Sequence, residues 1–221
     1  MTIIIEAQHI LGDSTPEAFA RYIEVYGDVI IPAMSDVGFN VVGAWRQVSG
    51  PLGRDLILST AESMATVEQI GKKLGEHKAV TEGVPRFLDL GFAVDEILKN
   101  GTPLAFADDC RLQQGVATTE HASRCYRLIR RRIGATGIAA ANEALSDLAD
   151  GLEIAGSWKL FTAYQTTYGD RREISEIWIS DDITREWYPQ ATAPDALAAL
   201  DAVTQEASIH LLDPLPFSKA R

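Results

Sequence analysis

Hydrophobic residues recur along this chain with two periods, two and about 3.6, and each change of period marks an element. Residues 3–11 are rich in β-branched side chains and alternate through Ile5, Glu6, Ala7 and Gln8, the pattern of a strand. Asp13-Ser14-Thr15-Pro16-Glu17 then supplies a capping hydroxyl, a proline for the first turn and an early acid. Phe19, Tyr22, Ile23 and Tyr26 follow at helical spacing, one stripe for a sheet, until Pro32 and Gly38 end or kink the helix. Strands are predicted over 41–48 and 54–59, joined through Ser49-Gly50-Pro51-Leu52-Gly53. Ser63 is placed to cap a helix carrying Val67, Ile70 and Leu74, and a turn or helix over 84–88 precedes a strand near 92–98. Beyond it the pattern gives strands over 125–133, 154–161, 173–180 and 208–212. Helices begin at Thr136 and at Pro194-Asp195.

The two halves match each other in order. Val42-Gly43-Ala44-Trp45 matches Ala155-Gly156-Ser157-Trp158 at an offset of 113, and Pro103-Leu104-Ala105-Phe106 matches Pro214-Leu215-Pro216-Phe217 at 111. Leu56-Ile57-Leu58-Ser59 falls on Ile177-Trp178-Ile179-Ser180 at 121, and residues 3–11 can be laid on 126–134 at 123. A drifting offset means connections of different length, which loops absorb cheaply. Each half therefore reads strand, helix, strand, strand, helix, strand. The expected fold is α+β, with tandem ferredoxin-like repeats over 1–106 and 124–221 and a linker over 107–123. A sheet with helices on one side must bury its other side. Two such sheets facing each other would enclose a barrel-like core with an interior cleft.

Composition narrows the function. Hydrophobic residues make up 46% of 221, enough for a core, and 31 acids against 20 bases leave a net charge of −11. That charge argues against nucleic acid or an anionic membrane as partner. The basic run Arg127, Arg130, Arg131 and Arg132 splits between the two faces of a strand. No apolar stretch approaches 18 residues, the first residues lack the positive start of a signal peptide, and Cys110 and Cys125 are too few for a disulfide framework. A cytoplasmic protein is expected, with a small organic molecule as partner and a homo-oligomer left open. No phosphate-binding loop or nucleophile elbow is present.

Gly-x-Trp on the second strand, a glycine-containing hairpin, an apolar third strand with Trp178 in its second copy, and the ending Leu-Leu-x-Pro-Leu-Pro-Phe-Ser resemble the NIPSNAP family. That resemblance implies the dimeric α/β-barrel superfamily, here with two units fused in one chain. It also implies a choice of activities, because the superfamily includes cofactor-independent monooxygenases, polyketide cyclases, lactone isomerases, haem enzymes and proteins without known catalysis. Fold does not select among them.

Candidate chemistry follows from alternation. If helices cover Ile3, Ile5 and Ala7, then Glu6 and Gln8 turn into the cleft, and the repeat carries this to Arg127, Ile129, Arg131 and Ile133. The matching set on the third strands is Asp55, Ile57 and Ser59, with Glu176, Trp178 and Ser180. A carboxylate in a cleft loses solvation and becomes a better base, so Asp55 and Glu176 are the candidate proton acceptors, with Arg131 to hold an oxyanion. Glu6, Gln8, Arg127, Ile57, Trp178 and Ser180 would line the substrate. The same charges could also pair with one another and serve burial alone. Trp45 and Trp158 are expected to pack, with room left by the glycine two positions earlier, and Tyr164 and Tyr168 to lie in a hairpin turn. Among His9, His77, His121 and His210 no metal-ligand spacing occurs, and His9 should face the helices. The expected function is cofactor-independent proton-transfer chemistry on an apolar or aromatic substrate: isomerisation, cyclisation, elimination or oxidation. The alternatives are a non-catalytic ligand-binding or interaction protein and a haem enzyme with an axial histidine.

Overall fold

The computed structural model describes residues 2–220 except 13–14, 51–52, 90–94, 108–123, 157, 181, 183–186 and 188, with backbone alone at 84, 86–89, 95 and 96. The expected linker lies outside the described residues beyond Ala107. Two compact units divide the chain, one of Met1–Asn100 with Asp213–Arg221, the other of Gly101–Leu212.

In unit 1, β1 (Ile3–Ile10), β3 (Arg54–Ala61) and β2 (Asn40–Gln47) lie side by side, antiparallel. Helix α1 (Pro16–Val25) starts where Thr15 accepts a hydrogen bond from the Ala18 N–H and Pro16 occupies the first turn. Pro32 does not end this helix. A π-turn over Tyr26–Ile30 lets the Ile31 N–H reach back five residues to the Tyr26 carbonyl. Pro32, which has no N–H to give, then falls in the first turn of α2 (Ile31–Asp36). Gly38 closes it at φ +101°. Ser63 caps α3 (Met64–Glu76) through the Thr66 N–H, as its position predicts, and α4 (Lys78–Asp89) is longer than the sequence pattern suggests. Strand β4 runs over Asp95–Pro103.

In unit 2 the order is β8 (Thr204–Pro214), β5 (Cys125–Ile133), β7 (Glu173–Ser180), β6 (Lys159–Tyr168), again antiparallel. Helix α5 (Ile138–Ile154) is longer than expected and takes in Ile154, predicted as a strand start. Its first residue follows Gly137, without a side-chain cap, so Thr136 does not play that part. Short α6 (Pro189–Thr192) and α7 (Pro194–Val203) complete the layer. Tyr164 is a fully buried strand residue rather than part of a turn, whereas Tyr168 is exposed.

Two of the sequence matches differ in kind. Leu104 donates its N–H to Ala163 on β6, and Leu215 donates its own to Ala44 on β2, so the Pro-Leu-x-Phe segments are true counterparts. Phe106 packs on the core of unit 2, and Phe217 on that of unit 1. The Gly-x-Trp pair is not a counterpart. Gly43 lies inside β2, where a Cβ would stand 2.1 Å from the Trp45 ring, and the glycine makes the expected room. Gly156 instead sits just past the end of α5 at φ +65°, with nothing within 4 Å of an added Cβ. Trp45 and Trp158 both pack in the interior, on opposite kinds of face: Trp45 stands opposite Leu56, and Trp158 belongs to the helix-side cluster.

Register corrects the assignment of faces. Directly paired residues of antiparallel strands share a face. Asp55 pairs with His9 and Ile57 with Ala7, so both lie on the helix-covered side, away from Glu6 and Gln8, which pair with Leu58 and Leu56. In unit 2, Arg127, Arg131, Glu176, Trp178 and Ser180 share one face as expected, but it is the helix-covered face with Ile129, Ile133 and Ile174. The cause is arithmetic. With Asp55 on Glu176, the ladders place Ala7 on Arg127 and His9 on Ile129, an offset of 120 rather than 123. An odd error in a period of two turns every side chain over.

Candidate functional site

The helix-covered face of unit 1 holds a chain of hydrogen-bonding, titratable groups. Asp55, 1% exposed, receives the Arg46 Nε at 3.4 Å from the neighbouring strand, and Tyr22 stands beside it. The Tyr22 hydroxyl lies 3.3 Å from His9 Nδ1, and His9 Nε2 lies 3.2 Å from the Tyr26 hydroxyl. Tyr22 and Tyr26, one helical turn apart, stack with ring centroids 5.3 Å apart and meet the His9 ring edge-on. Phe217 closes the cluster at 6.5 and 6.0 Å from the two tyrosine rings, seated where Gly27 offers no side chain.

Burial pushes the Asp55 carboxyl above its usual range, and Arg46 and Tyr22 pull it part of the way back. Burial, reinforced by Asp55, holds the Tyr22 phenol well above its ordinary value, so Tyr22 keeps its proton. Between the rings one donor order satisfies both links, Tyr26 O–H to Nε2 and Nδ1–H to the Tyr22 oxygen, and the reverse order with the other His9 tautomer satisfies them too. Asp55 Oδ2 is buried without a hydrogen-bond partner among the described residues. Arg46 is the part of this cluster that reaches water: its side chain is 24% exposed, and its guanidinium carbon stacks 3.3 Å above the Phe19 ring.

Unit 2 places Glu176 at the position matching Asp55, but its surroundings differ. Arg131 Nε donates to one carboxylate oxygen at 2.7 Å, and the Trp178 indole N–H donates to the other at 2.8 Å. Glu176 and its partners are sealed, with Arg131 7% exposed at its side chain and a further contact from its Nη1 to Asp201 at 3.7 Å. Burial raises the Glu176 pKa, opposed by Arg131 and Trp178. Where unit 1 has His9, unit 2 has Ile129, and α5 faces it with Ala141, Leu145 and Leu148 instead of tyrosines.

The remaining predicted residues are dispersed. Gln8 Nε2 donates to Glu6 Oε1 at 2.6 Å on the opposite face of β1 from Asp55, and Ile57 is core. Ser180 bonds the Asp182 carbonyl, and Arg127 stands by the Trp158 and Trp187 rings. The sequence reading named Asp55 but not Arg46, Tyr22 or Tyr26 as chemistry. The signal was two tyrosines four apart on the stripe that faces the strand of His9. His9 faces the helices as expected, and with both ring nitrogens engaged by tyrosine hydroxyls it does not fit an axial haem ligand. Among the described residues no group of histidines, cysteines and acids is arranged to hold a metal, and no helix is long and apolar enough to cross a membrane.

No family model matches the sequence, and no curated protein does. Solved structures do. A "putative monooxygenase" from Lactobacillus acidophilus is 12% identical over 97% of this chain and 94% of its own, with a TM-score of 0.64. An anthrone oxidase-like protein is 12% identical, covering 100% of this chain and 94% of its own, at 0.59. The chain has the dimeric α/β-barrel fold. A NIPSNAP domain protein from Burkholderia xenovorans also matches, 14% identical over 48% of this chain and 99% of its own, at 0.43. These likenesses show the fold alone. At such identities they say nothing of chemistry.

Proposed function

We propose that the protein is a small-molecule enzyme that removes a proton from a carbon acid, an apolar aromatic compound with an activated C–H, using Asp55 as the base. The observation that carries this reading is Asp55, buried beside the partly exposed Arg46 with its Oδ2 left without a hydrogen bond, next to the bonded cluster of Tyr22, His9 and Tyr26. The substrate approaches from the side of Arg46. Its C–H bond breaks toward Asp55, the electron pair stays on the substrate as an enolate, and the Arg46 guanidinium holds the enolate oxygen. A carboxyl with a raised pKa is the stronger base for this step. Oδ2 takes the proton while Oδ1 keeps its hydrogen bond from Arg46 Nε. Glu176 has both carboxylate oxygens occupied by donors and serves structure.

The anthrone oxidase-like neighbour makes an anthrone the first substrate to try. Deprotonation of its methylene gives an enolate whose electrons dioxygen can accept, the methylene becoming a carbonyl with release of one water. Oxygen uptake with an anthrone tests this. Asp55→Asn should lower turnover by about 100-fold or more, the typical contribution of a positioned base. A folded Asp55→Asn variant that oxidises anthrone at the wild-type rate would overturn the assignment.

A further inference from the structure

Four arginines lie on β5, and three of them have acids. Arg130 is 3.4 Å from Glu173, Arg131 is 2.7 Å from Glu176, and Arg132 is 3.0 Å from Asp170. A pocket of about 150 Å³ lined by these three therefore carries its own counter-charges in Asp170, Glu173 and Glu206, and has little to offer an anion.

Arg127 is different. Among the described residues it has no acid partner, and its Nε is buried without a hydrogen bond. Its guanidinium carbon lies 5.0 Å from the centroid of the Trp158 ring and 5.7 Å from that of Trp187, and these two rings meet edge-to-face at 5.4 Å. The residue as a whole is half-buried. Its partner across the ladder is Leu211, and Ile209 stands opposite Ile129 on the same face. These two aliphatic side chains are 38% and 49% exposed, an apolar strip beside the Arg127 cation.

A cation held against indole rings, with no acid partner among the described residues and flanked by exposed apolar surface, matches a ligand with a negative head and an apolar body. We propose that Arg127, Trp158, Trp187, Leu211 and Ile209 form a binding site for a small amphipathic carboxylate. The carboxylate sits on the outer edge of the guanidinium, and the apolar body covers the indoles and the β8 strip. The site belongs to unit 2 and does not depend on the proton-transfer reading for unit 1.

The test is a titration of the full chain with benzoate and, separately, with benzamide, its neutral counterpart. The readout is the indole N–H signals of Trp158 and Trp187 in nitrogen-15 NMR spectra. Benzoate should shift these signals saturably and benzamide should not. Arg127→Met should weaken the benzoate response at least tenfold, and Arg130→Met should leave it unchanged. Equal responses to the two ligands, no saturable response to benzoate, or undiminished binding by Arg127→Met would each overturn the proposal. Should Arg127→Met lose its native near-ultraviolet dichroism, Arg127→Lys decides instead. It keeps the charge but loses the planar fork, and is expected to bind benzoate more weakly than wild type and still more tightly than benzamide.

Discussion

Asp55 and Glu176 occupy matching positions in the two units, and each is a buried carboxyl beside an arginine, yet the arginine comes from opposite sides. In unit 1 it is Arg46 on β2, directly across the ladder and partly in water; in unit 2 it is Arg131 on β5, diagonally placed and sealed. Around that pair, unit 1 adds two phenols and an imidazole, and unit 2 adds an indole N–H and aliphatic side chains. One carboxyl keeps an oxygen without a hydrogen bond; the other has both oxygens fixed by donors. A duplicated fold thus keeps an acid at one position and uses it in two ways, with the difference set by a few neighbours.

The comparison is broken most severely by removing the arginines. Arg131→Met leaves Glu176 buried with its ion partner gone and should cost about 3–5 kcal/mol in urea unfolding. Arg46→Met leaves the buried Asp55 without a partner that is itself partly in water and 3.4 Å away, and its cost should be smaller, about 1–3 kcal/mol. Equal costs would mean that the two sites are buried alike. Next come the two glycines. Gly43→Ala drives a methyl into the Trp45 ring and should cost about 3 kcal/mol, whereas Gly156→Ala meets only its left-handed backbone and should cost about 1 kcal/mol. Tyr26→Phe, which removes one hydroxyl from His9, should cost about 1 kcal/mol in the same assay.

The smallest effect is a dependence on pH. The folded pKa of Glu176 is raised by burial, so the stability it contributes is complete below the ordinary carboxylate range and is lost as pH climbs through the folded value. Glu176→Gln stays neutral and escapes that loss. Its urea midpoint relative to wild type should therefore rise with pH across that window, and a constant or falling difference would contradict the burial argument.

Much of this fold can be read from the chain. The strand limits 125–133 and 173–180 coincide with β5 and β7, and the caps at Ser63 and Pro194 open helices where expected. Face assignment was less legible. An offset between repeats can be matched on apolar residues alone, and apolar residues occupy both faces of these strands, so Ile3 to Leu11 was laid on residues three positions from the counterparts that the ladders give. Only the ladder, which pairs His9 with Asp55, settles which side each residue takes. The helix boundary at Ile154 was obscured for a related reason: Leu152, Ile154 and the Gly-x-Trp that follows read as a strand by composition, and the turn at Gly156 is set by a backbone angle. Tyr22 and Tyr26 were visible as a stripe. Their chemistry was not, because it exists only opposite His9.

The most direct test of Asp55 as the base is exchange of deuterium from heavy water into the acidic C–H of the carbon-acid substrate without oxygen, followed by mass spectrometry for wild type, Asp55→Asn and Glu176→Gln. The account predicts that exchange persists in Glu176→Gln and drops by about 100-fold or more in Asp55→Asn. Exchange that survives in Asp55→Asn and disappears in a folded Glu176→Gln variant would contradict it.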